Sequence, residues 1–213
     1  MLSGILECYK TISNYPDEQK ALEEYISSGV FLVKGGITVT ELRIICKGGE
    51  IIKICTYVVE KDAERHPFLV EEQKIEYGVA CMKSPRDVID LVNHAFRLRF
   101  MAEEYVYLLS LDTKGHILGL FEVSHGTISS SHCNPREVFL RALVSGASSI
   151  IIVHNHPSGD VTPSDEDILV SKRLYEAGKL IGIAVEDFII VGNENDYCSF
   201  NEEGMNIQYE GGR

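Results

Sequence analysis

One stretch of this 213-residue chain crowds together residue types able to do chemistry: His154-Asn155-His156-Pro157-Ser158-Gly159-Asp160-Val161-Thr162-Pro163-Ser164-Asp165-Glu166-Asp167. His154 and His156 are two residues apart, so on an extended chain their side chains leave from the same side. Pro157 forbids a continuing helix and keeps the residue before it extended. Ser164 has the character of a helix N-cap, and Asp167 falls in the first turn that follows. A strand end and a helix start can therefore bring two imidazoles and a carboxylate to one point. Three N/O ligands with a fourth position open make a catalytic zinc site, where bound water becomes acidic near neutral pH. Each feature also has a plainer explanation. Ser164-x-x-Asp167 is a capping box, and Asp165, Glu166 and Asp167 suit a helix dipole. A His-x-His pair alone is more often turn or surface chemistry. Found together directly after an apolar strand, they favour a metal.

That strand is the run Ile150-Ile151-Ile152-Val153, apolar at every position and so expected to be covered on both faces. Around it the pattern alternates between strand and helix. Strands are predicted at 105–111, 116–123 and 183–191, with Asp112-Thr113-Lys114-Gly115 turning between the first two. Ser84-Pro85-Arg86-Asp87 and Asn134-Pro135-Arg136-Glu137 are capping boxes with proline at the first helical position. Val88, Leu91, Val92, Ala95, Phe96 and Phe100 form the stripe of the first helix. The second helix should end at Gly146, and a third is predicted over 165–177. This is an α/β layered domain over residues 83–213. Before it, 16–28 reads as a helix. Residues 37–46 and 51–60 read as a hairpin turning at 47–50. Residues 1–82 thus form a small N-terminal α+β region.

Composition narrows the partners. The formal charge is −12 and the sequence pI about 5.0, with the excess of acid running through both halves. Such a field repels phosphate, so DNA is a partner that charge does not favour. Six cysteines occur without a Cys-x-x-Cys, which excludes zinc ribbons and thioredoxin-type motifs. With no secretory h-region and no apolar run near 18 residues, the expectation is a cytoplasmic protein with reduced thiols and no membrane span. No His-Glu-x-x-His, deaminase or P-loop signature is present. Cys133 beside His132 reads as a buried or incidental thiol rather than a nucleophile. Tyr105 and Tyr107 read as core or sheet-face residues rather than a base-stacking platform. His94, Arg97 and Arg99 read as a solvated helix face.

His154, His156, Pro157, Ser164 and Asp167 occupy every fixed position of the JAMM signature, so residues 83–203 resemble the JAB/MPN metallopeptidases. The surrounding wording, with Val123-Ser124-His125-Gly126-Thr127 and Asn134-Pro135-Arg136-Glu137-Val138-Phe139, is similar to the RadC branch. The resemblance implies a mixed sheet flanked by helices and Zn2+ held by His154, His156 and Asp167. It implies Ser164 as an oxyanion stabiliser and Glu122 as general base, acting on a peptide or protein substrate. A DNA-repair or DNA-processing accessory role, with the metal domain as scaffold, is the alternative it carries. Two departures stand out. Residues 1–82 do not read as the helix-hairpin-helix region usual in RadC proteins, and Asp187-Phe188 stands where they often have Asp-His. Oligomeric state is not legible.

Overall fold

Seven strands and three helices follow one another in the computed structural model, which describes residues 52–78, 81–126, 133–193 and 196–205. They are β1 (Ile52–Lys61), β2 (Pro67–Tyr77), α1 (Pro85–Phe96), β3 (Glu104–Leu111), β4 (Ile117–Gly126), α2 (Pro135–Val144), β5 (Ser149–Asn155), α3 (Asp165–Ile181), β6 (Ala184–Val191) and β7 (Tyr197–Ser199). The strands form one mixed sheet in the order β2-β1-β4-β3-β5-β6-β7. This is the α/β architecture expected. The predicted helix 16–28 and strand 37–46 lie outside the described residues.

β5 sits among the inner strands because its sequence allows nothing else: all seven of its residues are buried. It runs antiparallel to β3 and parallel to β6. Val106, Leu108, Phe121, Ile150, Ile152, Phe188 and Ile190 turn to one face and pack with Val138, Phe139 and Ala142 of α2 and Leu174 of α3. On the other face Phe96 of α1 stacks on Tyr107 at 4.1 Å between ring centroids. Alternation along each strand thus commits every side chain to the α2/α3 face or to the α1 face.

The N-caps fall where the sequence announces them, although the reciprocal boxes expected at 84–87 and 134–137 do not close. Ser84 accepts a hydrogen bond from the Asp87 N–H, and Asn134 accepts one from the Arg136 N–H. Two boundaries differ from expectation. Arg97 takes a left-handed conformation (φ 55°) and ends α1, so Phe100 leaves the predicted stripe for a short 3₁₀ turn and is 72% exposed. β1 pairs with β2 through residues 62–66, and it also joins the sheet in parallel to β4 at Thr56 and Leu120. The compact unit therefore begins at Ile52, ahead of the boundary expected near residue 82. Neither β2 nor β7 was anticipated: 51–60 was expected to pair with 37–46, and it pairs with 67–77. Among the described residues no helix is long and apolar enough to cross a membrane.

Helix α3 lies on the sheet through Gly178, where a Cβ would stand 2.5 Å from the Ile183 carbonyl oxygen. Alanine at a helix interior is ordinarily worth up to about 1 kcal/mol. Here the contact is backbone and cannot swing away, so Gly178→Ala should lose about 1–3 kcal/mol, in the range of overpacking. Thermal unfolding checks this: the variant should melt several degrees lower, roughly 2–4 °C per kcal/mol for a domain of this size.

Candidate metal centre

The end of β5 and the start of α3 meet as the sequence suggests. His154 lies opposite Val106 of β3 and Ile190 of β6, at the last ladder pair between β3 and β5. Beyond it the His156 N–H donates to the Val191 carbonyl at 3.0 Å, which keeps the chain beside β6. Ser164 caps α3 in a reciprocal box. Its hydroxyl donates to Asp167 Oδ2 at 2.6 Å, its own N–H donates to the same oxygen at 2.8 Å, and its Oγ accepts the Asp167 N–H at 3.2 Å. The carboxylate so held faces both imidazoles. His154 Nε2 is 3.4 Å from Asp167 Oδ1, and His156 Nε2 is 3.3 Å from Asp167 Oδ2. Ligand atoms of all three residues lie within 4.8 Å of one another.

The protonation states suit a cation. Burial pushes His154 down to about 4, so it is neutral at physiological pH. Burial alone would raise Asp167. Hydrogen bonds from His156 and Ser164 outweigh it and hold the carboxyl at about 2. His156 is raised, chiefly by its hydrogen bond to Asp167 and also by the Asp160 carbonyl and the charge of Glu104. That carbonyl accepts from His156 Nδ1 at 2.6 Å. A carbonyl can only accept, so Nδ1 carries a proton and Nε2 is the ring nitrogen turned to the cluster.

The three residues open into a cleft of about 750 Å³. Glu104 and Val106 of β3 line one wall, Cys133, Asn134 and Pro135 the approach to α2, and Glu166, Leu169, Val170 and Arg173 a face of α3. Phe188 closes the floor, its ring centroid 6.4 Å from that of His154.

Glu122 is not brought here. It pairs with Tyr107 across β3 and β4, and so points to the α1 face. There its carboxylate bonds His125 Nδ1 at 2.7 Å, and the His125 ring stacks on Tyr105. Glu166 and Asp167 line the cleft from α3, and from the sheet the carboxylate that lines it is Glu104, which the sequence pattern did not single out. A signal existed. Counting back in twos along β3 from Leu108 and Val106 lands on Glu104, an acid on the buried-face parity, whereas Glu122 follows Phe121 on the opposite parity. Cys133 is buried, and that burial pushes its thiol up to about 12. His132 lies outside the described residues. Tyr107 is core, as read. His94, Arg97 and Arg99 share no helix face, because α1 ends between them.

Comparison with known proteins adds the family. The RadC-like JAB domain profile matches residues 82–205. "UPF0758 protein" of Alkaliphilus metalliredigens is 46% identical over 124 residues, covering 58% of this chain and 52% of its own length. A protein of the same name from Desulfitobacterium hafniense is 43% identical over 124 residues, covering 58% and 53%. One from Clostridium tetani is 46% identical over 122, covering 57% and 52%. The chain thus spans about half the length of the relatives it matches. With the profile covering the sheet from β3 onward, the three helices and the whole histidine–aspartate cluster, the chain belongs to the RadC-like JAB domain family.

Proposed function

We propose that this domain is a zinc-dependent peptidase or isopeptidase that hydrolyses an amide bond in a peptide or protein substrate. The supporting observation is the gathering of His154, His156 and Asp167 in a cleft that Glu104 also lines. The donor set fits zinc. Zinc takes imidazole nitrogen and carboxylate oxygen, and ligand atoms of the three residues lie within 4.8 Å of one another, with His154 Nε2 3.4 Å from Asp167 Oδ1 and His156 Nε2 3.3 Å from Asp167 Oδ2. Bound there, zinc supplies a Lewis acid that acidifies water and polarises a carbonyl oxygen.

The remaining work falls to the chain's own residues. We assign Glu104 as general base: it takes the proton of the attacking water and returns it to the leaving amine. Ser164 first serves Asp167, since its hydroxyl and N–H both donate to that carboxylate. By releasing its hydroxyl from Asp167, Ser164 can turn that donor toward an oxyanion at the cleft edge. Val106, Leu169 and Val170 give the cleft an apolar flank for substrate side chains, and Phe188 keeps water from behind His154. A cytoplasmic setting agrees with free thiols at Cys55, Cys81, Cys133 and Cys198.

Elemental analysis of untagged protein tests the centre: wild type should carry about one zinc per chain, and His156→Ala should lose it. Glu104→Gln should keep its zinc and lose about 10²–10⁴ in turnover of a quenched peptide or isopeptide substrate, the usual worth of a general base. Glu122→Gln should retain both metal and turnover. Wild type that stays empty after zinc is restored overturns the reading and leaves a binding scaffold.

Zinc affinity should also depend on pH with a definite sign. His156 must shed its ring proton to bind, and its proton affinity is raised above that of an ordinary histidine. Protons therefore compete with zinc at a higher pH than they would at an unperturbed site. Affinity should fall on acidification, approaching about tenfold per pH unit. Competition against a chromophoric chelator between about pH 5.5 and 8 would show it. A flat profile would remove His156 from the ligand set.

A further inference from the structure

Between the two cluster histidines stands Asn155, 2% exposed. Alternation turns its side chain away from the face that carries His154. The ladder between β3 and β5 ends at Val106 and His154, and the Asn155 amide extends it by one step. Its Oδ1 accepts the Tyr105 N–H at 2.7 Å, and its Nδ2 donates to the Glu103 carbonyl at 3.0 Å. Both ends of one buried amide are therefore spent on the two residues that flank Glu104. The backbone that carries the histidines is also held from the β6 side. His154 and Asn155 pair with Ile190 and Val191 of β6, and the His156 N–H bonds the Val191 carbonyl.

We propose that Asn155 is a positioning residue: its amide straps the first residues of β3 to β5 and so fixes Glu104 on the cleft wall beside the His154–His156–Asp167 cluster. The inference rests on the peptidase reading and deepens it. It explains why a position between two ligands holds a side chain with one donor end and one acceptor end. An apolar residue would fill the space but leave the Tyr105 N–H and the Glu103 carbonyl without these bonds, and the start of β3 would fray from β5.

Cobalt(II) bound in place of zinc gives a readout that does not depend on turnover, because its visible bands report what surrounds the ion. Full-length wild type, Asn155→Ala and Glu104→Gln are loaded with cobalt and compared. Asn155→Ala should bind about one cobalt per chain, avoiding the roughly 10–100-fold loss of affinity that follows loosening of a ligand. Its spectrum should depart from wild type in the same direction as that of Glu104→Gln. Peptide turnover should fall about 100-fold, the cost of a misplacement near 1 Å, and the double variant should be no worse than Glu104→Gln alone, since both act through one carboxylate. If Glu104→Gln shifts the spectrum while Asn155→Ala superimposes on wild type, the strap is overturned and the peptidase reading stands. Folded Asn155→Ala that loses its cobalt overturns the strap too, since the amide would then be holding the ligands. Wild type without cobalt, or a spectrum indifferent to Glu104, overturns both. Should Asn155→Ala not fold, amide exchange in wild type decides. A Tyr105 N–H as protected as the middle of β3 supports the strap, and one that exchanges like an open loop overturns it.

Discussion

The carboxylate of Asp167 does two things at once, and the centre depends on their being compatible. As the third residue of α3 it closes the capping box with Ser164, satisfying backbone and hydroxyl donors that the helix start would otherwise leave open. As the only carboxylate of the cluster it faces the Nε2 atoms of His154 and His156. The capping bonds fix where the carboxylate sits before any ion is considered. A capping aspartate and a ligand aspartate are usually competing explanations of the same sequence. Here one geometry is compatible with both, because Ser164 donates to Oδ2 while Oδ1 is left facing His154.

Strand parity decides the rest. In a sheet, a shift of one residue sends a side chain to the other face. His154 pairs with Val106, so the carboxylate that β3 places on the same face is Glu104. Glu122 pairs with Tyr107 and belongs to the α1 face, where His125 takes it up. The two glutamates begin and cross the same antiparallel pair of strands yet serve different surfaces. Their chemistry is set by which neighbour is a core residue on the α2/α3 side: Val106 for one, Phe121 for the other.

What was legible in the sequence follows the same division between local and distant. Ser84, Asn134 and Ser164 announce helix starts because a cap is a bond between residues two or three apart. The run 150–153 announces a buried strand because apolarity at every position needs no partner to be read. His154, His156, Ser164 and Asp167 were legible because strand end, loop and helix start are contiguous. Glu104 was not, since its relation to His154 passes through a pairing 50 residues away in the chain. The joining of β1 to β4, and the three-residue β7, are also pairings that no local pattern encodes. Phe100 was misplaced for a different reason. Its spacing suits the α1 stripe, but Arg97 in a left-handed conformation ends the helix first.

The fold draws its core from residues other than the cluster. In a small zinc finger the metal supplies the folding energy, so removing it unfolds the chain. Here β5 is buried along its whole length between β3 and β6, and the core that covers it draws on α2 and α3. Within the cluster His154 is neutral through burial, His156 pairs with Asp167, and Asp167 is held by the cap. A cation would replace the ion pair of His156 and Asp167 rather than create the structure around it. Stability would then rise on binding only by the mass-action term for a ligand of the native state. A side chain at the cluster can therefore be changed with the fold left in place, which makes metal content a property of the site and not a proxy for folding.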